Sequence, residues 1–249
     1  MVKIDFVLGD ATRLSNIKSN SVDLIIAAPP FIAKDPSVYG GDPKNQINYQ
    51  SNKMLKLLIK STKEMQRVLK DTGNIWIEIS PDQGLMHRYV AKVLEETDLF
   101  NAGTLIHKIK YHEEMFNISK EERYQDWLMW FHFVKNPTTF YRNPFKIKKY
   151  EGSFWDLELS NKNSPVDIEL FKTYPEVFDY TAVKDIPERL IEMFSKPGGL
   201  VLDPFGGSGV TACEAYKLER NAISIDISPR QKEIAEARFE IEKRIKESV

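Results

Sequence analysis

The chain holds a single cysteine, Cys213, in 249 residues. No internal disulfide can form, and a reducing cytoplasm is the expected setting. Histidine is also scarce: His87, His107, His112 and His132 are scattered among aromatics and lysines. With one cysteine they make no zinc pattern, so no metal site is expected. Long apolar runs are missing. The most apolar stretch, residues 24–33, is short and contains Pro29-Pro30, so no membrane span is expected. The start, Met1-Val2-Lys3-Ile4-Asp5, has no secretory apolar region. An excess of one charge is absent too, with 35 Lys and Arg against 36 Asp and Glu and a formal net charge of −1. Composition therefore does not announce a nucleic-acid binder, although a local basic face is compatible with it. Tandem repeats and low-complexity tracts are lacking.

What is present is ordinary globular composition, 42% hydrophobic and 29% charged. The length suits one domain over residues 1–249 with a full core. Apolar runs at residues 3–8, 22–27, 74–80, 200–203 and 222–227 each close on turn chemistry and predict strands buried on both faces. Helical periodicity lies between them at residues 53–69, 86–96, 188–195 and 230–246. Asp71-Thr72-Gly73 is expected to stop the first of these, and Pro187 to open the third. Strand and helix alternate, which predicts a doubly wound α/β fold with a mostly parallel sheet. Residues 104–111 and 127–134 predict a longer antiparallel hairpin around a charged, turn-prone stretch at 113–123. Residues 140–180 are aromatic and lysine-rich but poor in periodicity. They predict an irregular surface segment within the same domain, part of a small target-recognition segment at 111–180.

Three constellations carry chemistry. In Asp203-Pro204-Phe205-Gly206-Gly207-Ser208-Gly209 a strand ends in an acid, turns on glycines and enters a helix. Glycine lets a ligand approach the backbone, and a helix amino end offers free N–H groups. The run is neither Gly-x-Gly-x-x-Gly nor a phosphate loop, and its lack of lysine argues against a nucleoside triphosphate. A plain strand-to-helix turn accounts for it equally. Asp226 closes the next strand, where an acid can accept both ribose hydroxyls of a nucleoside cofactor. Pro29-Pro30-Phe31 follows a buried strand. Consecutive prolines leave carbonyls without competing N–H donors, and a carbonyl beside an aromatic face suits a flipped-out base bearing an amino group. A structural turn is the alternative.

Taken in order, Leu8-Gly9-Asp10-Ala11-Thr12-Arg13-Leu14, Asn20-Ser21-Val22-Asp23-Leu24-Ile25-Ile26, Pro29-Pro30-Phe31, Arg67 to Gly73, Ile186-Pro187-Glu188-Arg189-Leu190-Ile191 and Gly199 to Thr211 closely resemble the S-adenosylmethionine-dependent amino-methyltransferases of nucleic acids. These methylate N4 of cytosine or N6 of adenine. The motif order matches their circularly permuted beta group, and the resemblance implies a Rossmann-like methyltransferase fold. It also implies roles. Asp203, Pro204 and the turn Phe205, Gly206, Gly207 and Gly209 would hold the methionine part of S-adenosylmethionine. Asp226 would take the ribose, Asp10 and Ala11 would lie at the adenine, and Lys184 would close the methionine side. Ala28, Pro29, Pro30 and Phe31 would form the catalytic element around the target base.

An exocyclic amine is a poor nucleophile because its lone pair is delocalised into the ring. Acceptors for its N–H groups, the Pro29 carbonyl among them, favour a nitrogen with a usable lone pair. Cys213 reads as a small core residue, which argues against a covalent mechanism at a ring carbon. One position departs from the family. Where it carries Asp, Asn or Ser before Pro-Pro, this chain has Ala28. That residue fits a disabled binding variant, or a substrate that needs only the Pro29 carbonyl, with room for a second methyl on the amine. N4 of cytosine in DNA is the expected target. A structured RNA such as ribosomal RNA is the alternative polymer. Tyr141, Arg142, Lys146, Lys148 and Lys149 are the expected nucleic-acid contact surface.

Overall fold

Buried apolar runs pair side by side because neither face of them can be left in water. The computed structural model describes residues 2–30, 51–79, 85–110, 127–150, 152, 154–158, 164–174 and 184–248. Among these the strands are β1 (Ile4–Leu8), β2 (Val22–Ala27), β3 (Leu69–Ile79), β4 (Phe100–Lys110), β5 (Trp127–Val134), β6 (Phe154–Glu158), β7 (Leu200–Asp203) and β8 (Asn221–Asp226). The helices are α1 (Ser51–Val68), α2 (Leu85–Glu96), α3 (Pro144–Lys149), α4 (Pro165–Thr173), α5 (Asp185–Phe194), α6 (Val210–Lys217) and α7 (Pro229–Glu247). The strands form one sheet in the order β1-β8-β7-β2-β3-β5-β4-β6. All neighbours are parallel except β5, which runs antiparallel between β3 and β4. This is the doubly wound sheet with an antiparallel hairpin that the sequence predicts. The first strand lies beside the last, as the permuted motif order requires.

Alternation along β2 and β3 divides the core. Ile25, Ala27, Ile75, Ile77 and Ile79 pack with Met54, Leu58 and Met65 of α1 and Tyr89 of α2. Leu24, Ile26 and Trp76 point to the other face, against Leu190 and Ile191 of α5 and Ala212 and Ala215 of α6. Full burial of each such side chain stabilises the fold by roughly 1.5–3 kcal/mol.

Two expectations are corrected. Asp71-Thr72-Gly73 does not separate helix from strand, because β3 begins at Leu69, directly after α1. The ladder with β2 jumps from Val22↔Leu69 to Leu24↔Asn74, so the extra residues form a bulge. Lys70 reaches from it to Asp23 at 2.8 Å, and the same carboxylate accepts Leu200 N–H at 2.8 Å. Second, residues 140–180 are not irregular throughout. Asn143 caps α3, accepting from Phe145 and Lys146 N–H, and Ser164 caps α4, accepting from Asp167 N–H. Between them β6 extends the sheet beyond the hairpin, parallel to β4, with Trp155 buried. The turn-prone stretch 113–123 lies outside the described residues. None of the described helices is long and apolar enough to cross a membrane.

Candidate active site at the carboxyl ends of the central strands

Parallel strands place their carboxyl ends on one edge, the usual ligand edge of such sheets. Asp203 ends β7, Asp226 ends β8, Gly9-Asp10 follows β1 and Ala28-Pro29-Pro30 follows β2. Short hydrogen bonds knit these ends together. Gly206 N–H donates to the Ile225 carbonyl at 2.7 Å, and Gly9 N–H to the Asp226 carbonyl at 2.9 Å. The Asp226 carboxylate accepts Gly207 N–H at 2.9 Å and Ser228 N–H at 2.8 Å. Asp203 accepts Phe205 N–H at 3.0 Å, and Asp10 accepts Thr12 N–H at 2.8 Å. Ala11 is buried beside them. The structure thus gathers Asp10, Ala11, Asp203, Pro204, Phe205, Gly206, Gly207, Gly209 and Asp226 around one cradle.

The glycines are required by space. A Cβ at Gly206 would stand 2.0 Å from Ser224 Oγ. Gly209 has φ +80° and sits where a Cβ would meet that of Ala235 at 2.8 Å, so α6 starts tightly against α7. Burial pushes the Asp203 carboxyl up to about 6, against hydrogen bonds from Thr211 and Phe205 N–H that favour its charged form, with nearby Asp226 adding to the rise. Asp226 is raised as well, again by burial. Two acids held out of water at adjoining strand ends suit a ligand that brings hydroxyl donors and positive charge. A nucleoside cofactor with a cationic amino-acid arm has both.

Behind the cradle stands a charge cluster that sequence spacing could not reveal. Arg238 of α7 is 1% exposed; its Nε donates to the Ser208 carbonyl at 2.9 Å and its Nη1 to Asp167 of α4 at 2.7 Å. Asp167 also receives Lys184 Nζ at 2.8 Å, and Lys184 donates to Ser164 Oγ at 2.8 Å. Burial by itself would raise the Asp167 carboxyl, but Arg238 and Lys184 outweigh it and hold it low. Lys184 therefore ties the start of α5 to α4, and its ammonium is engaged with Asp167.

At the end of β2 Pro29 is buried, Pro30 half-buried and Ala28 exposed. Phe31 lies outside the described residues.

Comparison with known proteins fits this geometry. The family model for N6/N4 methyltransferases, described as DNA methylase, matches residues 22–237. The chain is 31% identical over 242 residues to the Type II methyltransferase M.HpaI of Haemophilus parainfluenzae, covering 92% of this chain and 71% of that protein. This chain belongs to the N6/N4 DNA methylase family. Solved structures share the fold: the cytosine-N4-specific PvuII DNA methyltransferase superposes with a TM-score of 0.78 at 19% identity, covering 98% of this chain and 92% of its own. A complex of M1.HpyAVI with SAM gives 0.64 at 22% identity, covering 94% and 98%.

For an N6/N4 methylase, two residues of the expected contact surface, Tyr141 and Arg142, lie away from Pro29. Tyr141 N–H donates to the Thr72 carbonyl at 2.8 Å, and Asn143 N–H to Met193 at the end of α5. Tyr141 and Arg142 therefore lie where β3 begins, at the opposite edge of the sheet from Pro29 and about 20 Å away along a six-residue strand. Lys146 is paired with Glu192, and Lys149 stands 3.7 Å from the same carboxylate. Lys148 is exposed on α3, which leads from there to Tyr150, whose ring lies 6.5 Å from that of Trp155 in β6. The sequence places these basic and aromatic residues close together, but only the docking of α3 on α5 decides which edge they occupy. Cys213 is buried in α6, and burial pushes its thiol up to about 12, which suits a packed core residue and no nucleophile.

Proposed function

We propose that this methylase transfers the methyl group of S-adenosylmethionine to the N4 amino group of cytosine in DNA. The observation that carries the reading is the placement of Pro29, at the end of β2, beside the Asp203–Asp226 cradle at the ends of β7 and β8. The cofactor supplies a methyl group made electrophilic by a sulfonium. Asp226 and Asp10 would hold its ribose and adenine, and Asp203 with the glycine turn its amino-acid arm. The Pro29 carbonyl accepts an N–H of the target amine. Holding the amine in line is the main contribution, since alignment lowers the barrier of a displacement that needs no covalent enzyme intermediate.

DNA rather than RNA follows from the family, described as DNA methylase, and from the PvuII DNA methyltransferase. Cytosine is favoured by the described specificity of the PvuII enzyme, the highest-scoring of the structures compared above. The family also includes N6 methylation, so adenine is the second reading. The test is transfer of labelled methyl from S-adenosylmethionine into unmethylated genomic DNA, then digestion and nucleoside mass spectrometry. N4-methylcytosine is expected. N6-methyladenine replaces the first reading with the second, and label in RNA alone rejects both.

A further inference from the structure

We propose that Glu78 is a catalytic residue that supplies the side-chain acceptor for the target amino group, the acceptor that position 28 lacks. The inference rests on amino-group methylation by this chain and holds for cytosine or adenine alike.

The placement follows from register. The β2–β3 ladder pairs Ile26 with Trp76 and Ala27 with Ile77. Its next step sets Ala28 beside Glu78, about 4.8 Å away across parallel strands. Side chains alternate, with Ile26 and Trp76 in one core and Ala27 and Ile77 in the other. Ala28 and Glu78 therefore project from the same face. Asp203 projects from that face too, because Val201 belongs to the Ile26 core and Leu202 to the other. Asp203 on β7, Ala28 after β2 and Glu78 on β3 thus share one side of the carboxyl edge. A methyl at position 28 covers little, so a base held at the Pro29 carbonyl has Glu78 as its neighbouring side chain.

Glu78 is a group without a structural use. It is 6% exposed, and its Oε1 is buried with no hydrogen-bond partner. Across β5 it faces Trp130, whose indole N–H is taken by His107 Nδ1 at 3.1 Å. Among the described residues no cation pairs with it. Burial alone pushes its carboxyl up to about 8. Ile77 and Ile79 show what the strand otherwise holds, and an unpaired acid there is destabilising. Such a group at a ligand edge is a candidate for chemistry. Its free oxygen accepts an N–H of the amine. As the nitrogen lone pair forms the N–CH3 bond, the S–CH3 bond breaks with its electron pair staying on sulfur. The proton that the methylated nitrogen sheds passes to Glu78 Oε1 and then to water. The sulfonium of a bound S-adenosylmethionine would favour the ionised carboxyl that this step needs.

The experiment substitutes Glu78→Leu, which removes the acceptor, and Glu78→Gln, which keeps an oxygen but takes no proton. The readouts are the single-turnover rate of methyl transfer into unmethylated genomic DNA and the dissociation constant of S-adenosylhomocysteine by calorimetry. A fall on the order of 100-fold or more in rate is expected for both variants, the usual range for a lost general base. Cofactor-product affinity stays within about threefold. Adding Ala28→Asp to Glu78→Gln, which returns a carboxylate to the same face, recovers at least about tenfold. A fall below tenfold overturns the proposal, as does a double variant no faster than Glu78→Gln. A parallel loss of S-adenosylhomocysteine binding also overturns it, since Glu78 would then belong to the cradle. So does an unsubstituted chain that binds S-adenosylhomocysteine and methylates nothing. Identification of the product as N6-methyladenine overturns the cytosine reading alone.

Discussion

Asp167 and Arg238 pair at 2.7 Å with side chains 0% and 1% exposed, and the same guanidinium donates to the Ser208 carbonyl in the glycine turn. Three segments far apart in sequence are thereby joined behind the cofactor cradle. Asp167 also holds Lys184, so the pair is unequal: the acid serves two cations, while either cation serves one acid.

That asymmetry has a measurable consequence. Asp167→Leu leaves Arg238 and Lys184 without their anion and is expected to destabilise the fold by roughly 3–5 kcal/mol. Arg238→Met leaves Asp167 with Lys184 and is expected to lose clearly less. Urea unfolding of both variants at neutral pH decides it. Equal losses would show that the guanidinium, not the carboxylate, organises the cluster.

The glycine turn separates crowding from backbone strain. Gly206→Ala drives a methyl into Ser224, whereas the nearest atom to a Cβ at Gly207 is the Phe205 carbonyl oxygen at 3.9 Å, leaving only its φ of +47°. Gly207→Ala is expected to lose about 1 kcal/mol of stability. Gly206→Ala is expected to lose more and to weaken S-adenosylhomocysteine binding at least about tenfold. Thermal unfolding and calorimetry on the two purified variants would contradict this if Gly207→Ala proved the more damaging.

Cofactor affinity is expected to depend on pH through Asp203, whose carboxyl burial pushes up to about 6. As pH falls through that value the acid gains a proton and loses the charge that attracts the amino-acid arm. S-adenosylhomocysteine binding is expected to weaken below about pH 6 in the parent chain, and the dependence is expected to flatten in Asp203→Asn. A parent profile flat from pH 5 to 8 would remove Asp203 from the cradle.

Stability depends on pH through Glu78 in a defined direction. Its carboxyl titrates near 8 when folded and near 4.5 when exposed, so the folded state binds the extra proton between those values. Stability attributable to this group therefore falls as pH rises from about 4.5 through about 8, by roughly 3–5 kcal/mol in total. Glu78→Leu is expected to unfold at a higher temperature than the parent at pH 8.5, with a smaller gain at pH 5. An equal gain at both pH values would mean that the buried carboxyl is not what destabilises β3.

Much of the fold can be read from local pattern. Residues 22–27 are a continuous apolar run with one acid, and only a strand covered on both faces accommodates it. Asp203 and Asp226 stand at strand ends, followed by Pro204-Phe205-Gly206 and by Ile227-Ser228, so both edge position and turn chemistry are written in consecutive residues. The elements α3, β6 and α4 are not legible in this way. They span six, five and nine residues, too few for periodicity to accumulate, and their caps Asn143 and Ser164 read equally well as loop residues.

The amino-acid sequence alone therefore determined the strand–helix alternation, the permuted motif order and the glycine turn between β7 and α6, because each is specified by neighbours in the chain. Tertiary structure decided what depends on distant segments meeting. It carried Tyr141 and Arg142 to the edge away from Pro29, closed Asp167 onto Arg238, and set Ala27 beside Ile77, one residue before Ala28 and Glu78. Sequence spacing has no means of expressing these relations, since inter-strand register and helix docking are fixed only when both sides of the contact are packed.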